Sequence, residues 1–147
     1  MKWTRDGFEA DDDAARIDVD VVHAFLSSSY WAVGIPRETV ARSIAGSLNV
    51  GVYDGDGAMV AFARAVTDRA TFGWIADVFV VESQRGNGLG RFVVSSLLDH
   101  PELAGVRSLM LATADAHELY RSYGFNEPEP GRMMVIRKNP AELYGSA

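Results

Sequence analysis

The chain contains no cysteine. Disulfides and cysteine-ligated metal centres are therefore excluded, and no redox compartment is indicated. Basic residues are the minority, 14 against 20 acidic, for a formal net charge of −6. A protein held to nucleic acid through phosphates carries a basic excess or a basic stripe, and neither is present. No apolar run approaches the roughly 18 residues that a membrane span needs. The opening stretch "MKWTRDGFEADDDAARIDVD" has no apolar signal core and many acids. Cytoplasm is the expected compartment, with neither a membrane nor a nucleic acid as partner. Low-complexity linkers and internal repeats are also missing. The one charge run, Asp11 to Asp13, is expected in a solvated loop, because like charges repel and stay hydrated.

What is present is enough for a folded core. Apolar residues make up 48% of the 147 positions and aromatics 10%. That is the size of one ordinary domain, read as a single domain over residues 1–147. "MKWTRDGF" suits a first edge strand. Val21, Val22, Phe25 and Leu26 fall at helical spacing, and Gly34 and Pro36 end that segment. "PRETVARSIAGS" starts a second helix at proline, with Val40 and Ile44 four apart. "LNVGVYDGDGAMVAFARAVTD" reads as a hairpin around Asp54-Gly55-Asp56-Gly57. "TFGWIADVFVVE" is a long strand, and "NGLGRFVVSSLLDH" a helix with one apolar face. "VRSLMLAT" is a short strand. Asp115 starts another helix, with Glu118 placed as in a capping box and Gly124 as its stop. "GRMMVIRK" closes the chain as a final strand. The order β-α-α-β-β-β-α-β-α-β combines antiparallel hairpin pairing with a β-α-β crossover. It predicts an α+β fold, a mixed and mainly antiparallel sheet with helices on both faces.

The stretch "SQRGNGLGR", Ser83 to Arg91, carries glycines at 86, 88 and 90 between a strand and a helix. Glycine lacks a Cβ, so an anion can approach the backbone closely. The loop amides and the new helix's N-terminus converge on one spot. Two phosphate-loop patterns fail here. No Gly-Lys-Ser/Thr exists for a Walker loop, and neither Gly86 nor Gly88 opens a full GxGxxG. The remaining pattern is Arg85-x-x-Gly88-x-Gly90. A turn chosen only to pack helix on strand would carry the same glycines.

Arg85-x-x-Gly88-x-Gly90 resembles the pyrophosphate-binding motif of the GNAT superfamily of acyl-CoA-dependent N-acetyltransferases. "LYRSYGF", Leu119 to Phe125, resembles the aromatic-Tyr-x-x-x-Gly-Phe segment on that family's last helix, and the resemblance covers most of the chain. It implies a GNAT-like sheet whose parallel fourth and fifth strands splay apart. It also implies acetyl-CoA as co-substrate, a primary amine on a small molecule or peptide as acceptor, and direct attack in a ternary complex. No metal is implied. Homodimers are a family habit, and a non-catalytic acyl-CoA-binding module is the alternative.

The same resemblance distributes the roles. Arg85, Gly86, Asn87, Gly88, Gly90 and Arg91 fall at the diphosphate. Val78 and Val80, on the strand before the loop, offer main-chain groups to the pantetheine arm and thioester, with Val80 N–H as oxyanion donor. Tyr120 falls at the general-acid position, or packs as an ordinary helix tyrosine. Thr113 stands where many relatives have an asparagine that contacts the pantetheine arm. Asp77 is the candidate base, or else pairs with an arginine or caps a loop; in many relatives ordered water deprotonates the amine. Tyr30 and Trp31, with Trp74, form walls of the acceptor site, or plug a local core. Glu82, His117 and His23 are read as surface or satisfied residues, and Tyr123 as packing.

Overall fold

A computed structural model describes residues 1–145. Six strands form one sheet in chain order: β1 (Lys2–Arg5), β2 (Phe8–Asp11), β3 (Leu48–Tyr53), β4 (Met59–Thr67), β5 (Phe72–Val80) and β6 (Ser108–Met110). Neighbours are antiparallel up to β5, and β5 with β6 is parallel. Helices α1 (Val19–Ser27), α2 (Arg37–Ala45), α3 (Leu89–Leu98), α4 (His117–Arg121) and α5 (Pro140–Tyr144) complete the chain.

The sheet carries a core on each face, as strand alternation requires. On one face α3 lays Leu89, Phe92, Val93 and Leu97 against Val50, Val52, Ala61, Ala63 and Ile75. On the other, Val22, Leu26, Val40 and Ile44 of α1 and α2 meet Tyr53, Phe62 and Phe79. The expected α+β class and the helices on both faces are therefore observed.

Four local expectations are corrected. The first edge strand is a two-stranded hairpin. Asp6 and Gly7 both take positive φ, 51° and 85°, as a two-residue hairpin turn demands. The Asp-Gly pair was the signal. The family's fourth and fifth strands are accordingly β5 and β6 of this chain.

The acidic run is engaged rather than merely solvated. Asp11 accepts from Arg16 Nη1 at 2.7 Å, and Asp12 meets His100 Nε2 at 2.7 Å. Asp13 caps the short 3-10 turn at Ala14–Arg16. Local cations and free amides outweigh the mutual repulsion.

Helix α4 begins at His117 with no side-chain cap, so Asp115 is not its N-cap. Thr113 Oγ1 takes the amides of Asp115 and Ala116 instead, at 3.4 and 3.0 Å. Finally, "GRMMVIRK" forms no strand; residues 131–138 run irregularly over the surface.

Candidate active site: a glycine cradle beside a split in the sheet

β5 and β6 share three paired positions, Phe72 with Ser108, Gly73 with Leu109 and Trp74 with Met110. β6 then ends, and β5 continues to Val80 with an open flank. Within that continuation β5 bulges. Phe79 opposes Phe62 and Ala76 opposes Arg64, so Asp77 and Val78 together face Ala63. Asp77 takes φ 56°, a strained value for a non-glycine residue. Val81 N–H donates to Val60 O at 2.9 Å. Strand amides alternate, so Val80, the residue before Val81, directs its N–H away from β4, toward the split.

The strand delivers the chain to the glycine loop. Gly86 and Gly88 take φ 88° and 72°. A Cβ on Gly86 would meet nothing within 4 Å, so the loop surface there is bare backbone. Gly88 is the N-cap of α3 and supplies no side-chain cap. The first-turn amides of Leu89, Gly90 and Arg91 take part in none of the turn and cap hydrogen bonds of the described residues. Uncapped amides at a helix N-terminus are an anion site in form. That observation fits the diphosphate of a coenzyme A ester.

The cations divide. Arg85 is exposed at the loop. Arg91 is turned away, with Nη1 donating to Ser122 Oγ at 3.1 Å and its carbonyl accepting from Tyr123 OH at 2.9 Å. Asn87 Nδ2 is tied to Gln84. A further cation arrives from the far end of the chain. Arg5 of β1 lies so close to the loop that a Cβ on Gly88 would fall 3.3 Å from its Nη2. Its guanidinium also stands 6.0 Å over the Phe92 ring of α3. Sequence reasoning missed Arg5, because only the folded sheet brings residue 5 to residue 88.

Across the sheet, the acceptor-wall candidates partly converge. Trp31 Nε1 donates to Asp77 Oδ1 at 3.0 Å, and the Tyr30 ring meets Trp31 edge-on at 5.1 Å. Phe25 links Trp31 to the core by stacking on Phe79 at 4.2 Å. Tyr30 is 72% and Trp31 42% exposed, so this is a surface wall rather than a core plug. Trp74 lies apart, at the last β5–β6 pair. Asp77 Oδ2 accepts from Arg64 Nε at 2.6 Å, and Arg64 Nη1 donates to Ser47 Oγ at 3.0 Å. Of the two roles open to Asp77, arginine pairing is the one present. Each of its oxygens holds one donor, so the carboxylate braces Trp31 and Arg64 against the bulge. Arg64 is the second residue the sequence did not single out.

Tyr120 is 8% exposed on α4, with its ring edge-on to Phe125 at 5.9 Å. Burial raises its phenol pKa, with the nearby Asp115 charge adding to the effect. A phenol held protonated is competent to donate. Tyr120 borders a groove of about 430 Å³ that also takes in Leu111, Thr113, His117 and Phe125. His117 and Glu82 are exposed, and His23 Nε2 is bonded to Ile35 O at 3.0 Å. Among the described residues no acidic or histidine cluster could hold a metal, and no helix is long and apolar enough to cross a membrane.

Comparison with known proteins places this geometry. Residues 19–125 match the model of the "Acetyltransferase (GNAT) family". A Gibberella zeae protein named as a candidate acetyltransferase is 29% identical over 142 residues, 82% of this chain and 79% of that protein. A crystal structure of a GNAT-family protein from Xanthomonas campestris superposes with a TM-score of 0.90 at 37% identity, over 97% of this chain and 100% of the other. A Clostridium acetobutylicum protein solved with acetyl-CoA shares the fold alone, with a TM-score of 0.63 at 15% identity over 88% of this chain and 94% of its own. The open strand pair, the glycine cradle and the matched sequence lead to one assignment: this chain belongs to the GNAT family of acetyltransferases.

Proposed function

We propose that the protein transfers an acetyl group from acetyl-CoA to a primary amine by direct attack, without a covalent enzyme intermediate. The observation that most supports this reading is the split between β5 and β6, which leaves the flank of β5 beyond Trp74 unpaired just before the Gly86–Gly90 cradle. Acetyl-CoA supplies the activated acyl group and a thiolate leaving group. The cradle amides, with Arg85 and Arg5, hold the diphosphate charge. Val80 N–H stabilises negative charge on the carbonyl oxygen, a contribution that costs no rearrangement because the strand already fixes it. The Tyr120 phenol donates a proton to the departing sulfur. Tyr30 and Trp31 present aromatic surface to a cationic amine. Asp77 fixes Trp31 and Arg64 in place, and solvent water removes the amine proton.

Turnover and binding, measured side by side, test the assignment. Tyr120→Phe is expected to lower turnover on a panel of amines about 100-fold, the low end for a general acid, with coenzyme A binding retained. Unchanged turnover would remove Tyr120 from the mechanism. Tight coenzyme A binding by the wild type, with no amine acetylated, would support a non-catalytic acyl-CoA-binding module instead.

A further inference from the structure

Trp74 and Met110 form the last pair before β5 and β6 part. Val66 pairs with Trp74 from the other side. The three side chains therefore make one cross-strand row over β4, β5 and β6, about 10 Å long. Strand alternation sets its face. Ala65 and Ile75 lie in the core under α3, and Leu109 packs against that core. Their neighbours Val66, Trp74 and Met110 thus face the α1 and α2 side of the sheet. None of the three belongs to the core under α1 and α2. Val66 is 43% exposed, and Trp74 and Met110 are half-buried. Phe72, two residues before Trp74 on the same face, is also exposed. An apolar row left open beside the split is a binding surface in form.

The row adjoins the acceptor wall. Asp77 follows Trp74 by three residues on β5 and holds Trp31 Nε1 at 3.0 Å. Arg64 precedes Val66 by two residues and shares its face. Charge decides what this surface suits. At the row's inner end Arg64 and Asp77 neutralise each other, and Arg64 Nη1 is committed to Ser47. At the β4–β5 turn, Asp68 accepts from the amides of Ala70 and Thr71, and Arg69 pairs with Glu102. A carboxylate or phosphate on the acceptor would gain Arg64 or Arg69 only by breaking one of these pairs. An apolar group gains contact with the row and leaves the pairs intact.

We propose that the acceptor is a primary amine with a bulky apolar body, which lies along Val66, Trp74 and Met110 while its nitrogen reaches into the split. This names the substrate class of the acetyl-transfer site and rests on that reading.

Three amines built on one two-carbon chain test it: 2-phenylethylamine, ethylamine and O-phosphoethanolamine. With acetyl-CoA, kcat/KM for 2-phenylethylamine is expected to exceed that of either other amine by about 10-fold. Val66→Asp places a charge at an exposed position. It is expected to lower the ratio of 2-phenylethylamine to ethylamine kcat/KM by about 10-fold, with coenzyme A binding retained. Val66→Thr keeps the strand propensity and is expected to lower that ratio by about threefold, so the test survives an aspartate variant that does not fold. Equal or faster use of ethylamine or O-phosphoethanolamine would overturn the proposal and leave acetyl transfer standing. So would an unchanged ratio in a folded Val66 variant. Calorimetric titration of 2-phenylethylamine into protein saturated with coenzyme A separates the two readings. Binding that weakens in the Val66 variants, with no amine acetylated, would keep the row as an amine site and sink acetyl transfer. Neither binding nor turnover would overturn both.

Discussion

Strands β2, β3 and β4 pair in a nearly continuous ladder, whereas β5 and β6 pair at three positions and then part. The first region satisfies its backbone groups within itself and buries side chains on both faces. Every position of β3 is buried. The second region leaves amides unpaired and tolerates a positive φ at Asp77. Continuity provides stability, and interruption provides directed donors. The two regions are joined at Arg64 and Asp77, where a residue of the continuous strand β4 braces the bulge of β5.

The comparison predicts that substitutions on the two sides fail differently. The largest expected effect is on the continuous side. Phe62 is fully buried between Phe79 and the helices. Phe62→Ala should cost about 4 kcal/mol. Thermal unfolding should show a drop on the order of 10 °C. The roughly 100-fold loss of turnover expected for Tyr120→Phe comes next, with little change in the unfolding midpoint. A Tyr120→Phe protein that unfolds early while keeping its turnover would erase the distinction.

A smaller effect is expected at Arg5, which belongs to the hairpin edge and yet reaches the cradle. Arg5→Ala should weaken coenzyme A binding roughly fivefold, about 1 kcal/mol, through loss of one exposed charge contact. Calorimetric titration reads this directly. Equal affinity in the two proteins would confine the cradle to its own loop.

The mildest test is alkaline. Tyr53 lies buried beneath Arg16, and burial pushes its phenol up to about 12. A raised folded-state pKa adds stability below the unfolded value and loses it above. Stability should therefore be intact up to about pH 10 and fall from there through about pH 12. Tyr53→Phe removes a buried hydroxyl that has no partner. The variant should flatten that fall in denaturant midpoints measured across the range.

The same contrast explains what could be read from the residues alone. Helix periodicity, the Asp54–Gly57 turn and the apolar run of β5 are local signals, and each marked its element. The glycine loop was legible for the same reason: spacing and residue type sit within nine positions. Arg5 and Arg64 were not, because each acts on a residue distant in sequence, at Gly88 and Asp77. "GRMMVIRK" has the composition of a strand, but a strand needs a partner, and among the described residues this segment pairs with none. The Asp115 cap failed because Thr113 takes the amides of Asp115 and Ala116 in a turn, and the helix starts only at His117, after Ala116.

The account turns on the Gly86–Gly90 cradle as the seat of the coenzyme A diphosphate. Gly88 holds φ 72°, a conformation that strains any side chain, and a Cβ there would crowd Arg5 Nη2 at 3.3 Å. Calorimetric titration of acetyl-CoA into the wild type and Gly88→Val, both checked for an intact thermal transition, is the most direct measurement. The account predicts saturable binding to the wild type and its loss in the variant. Equal binding in both, or no binding to the wild type, would contradict it.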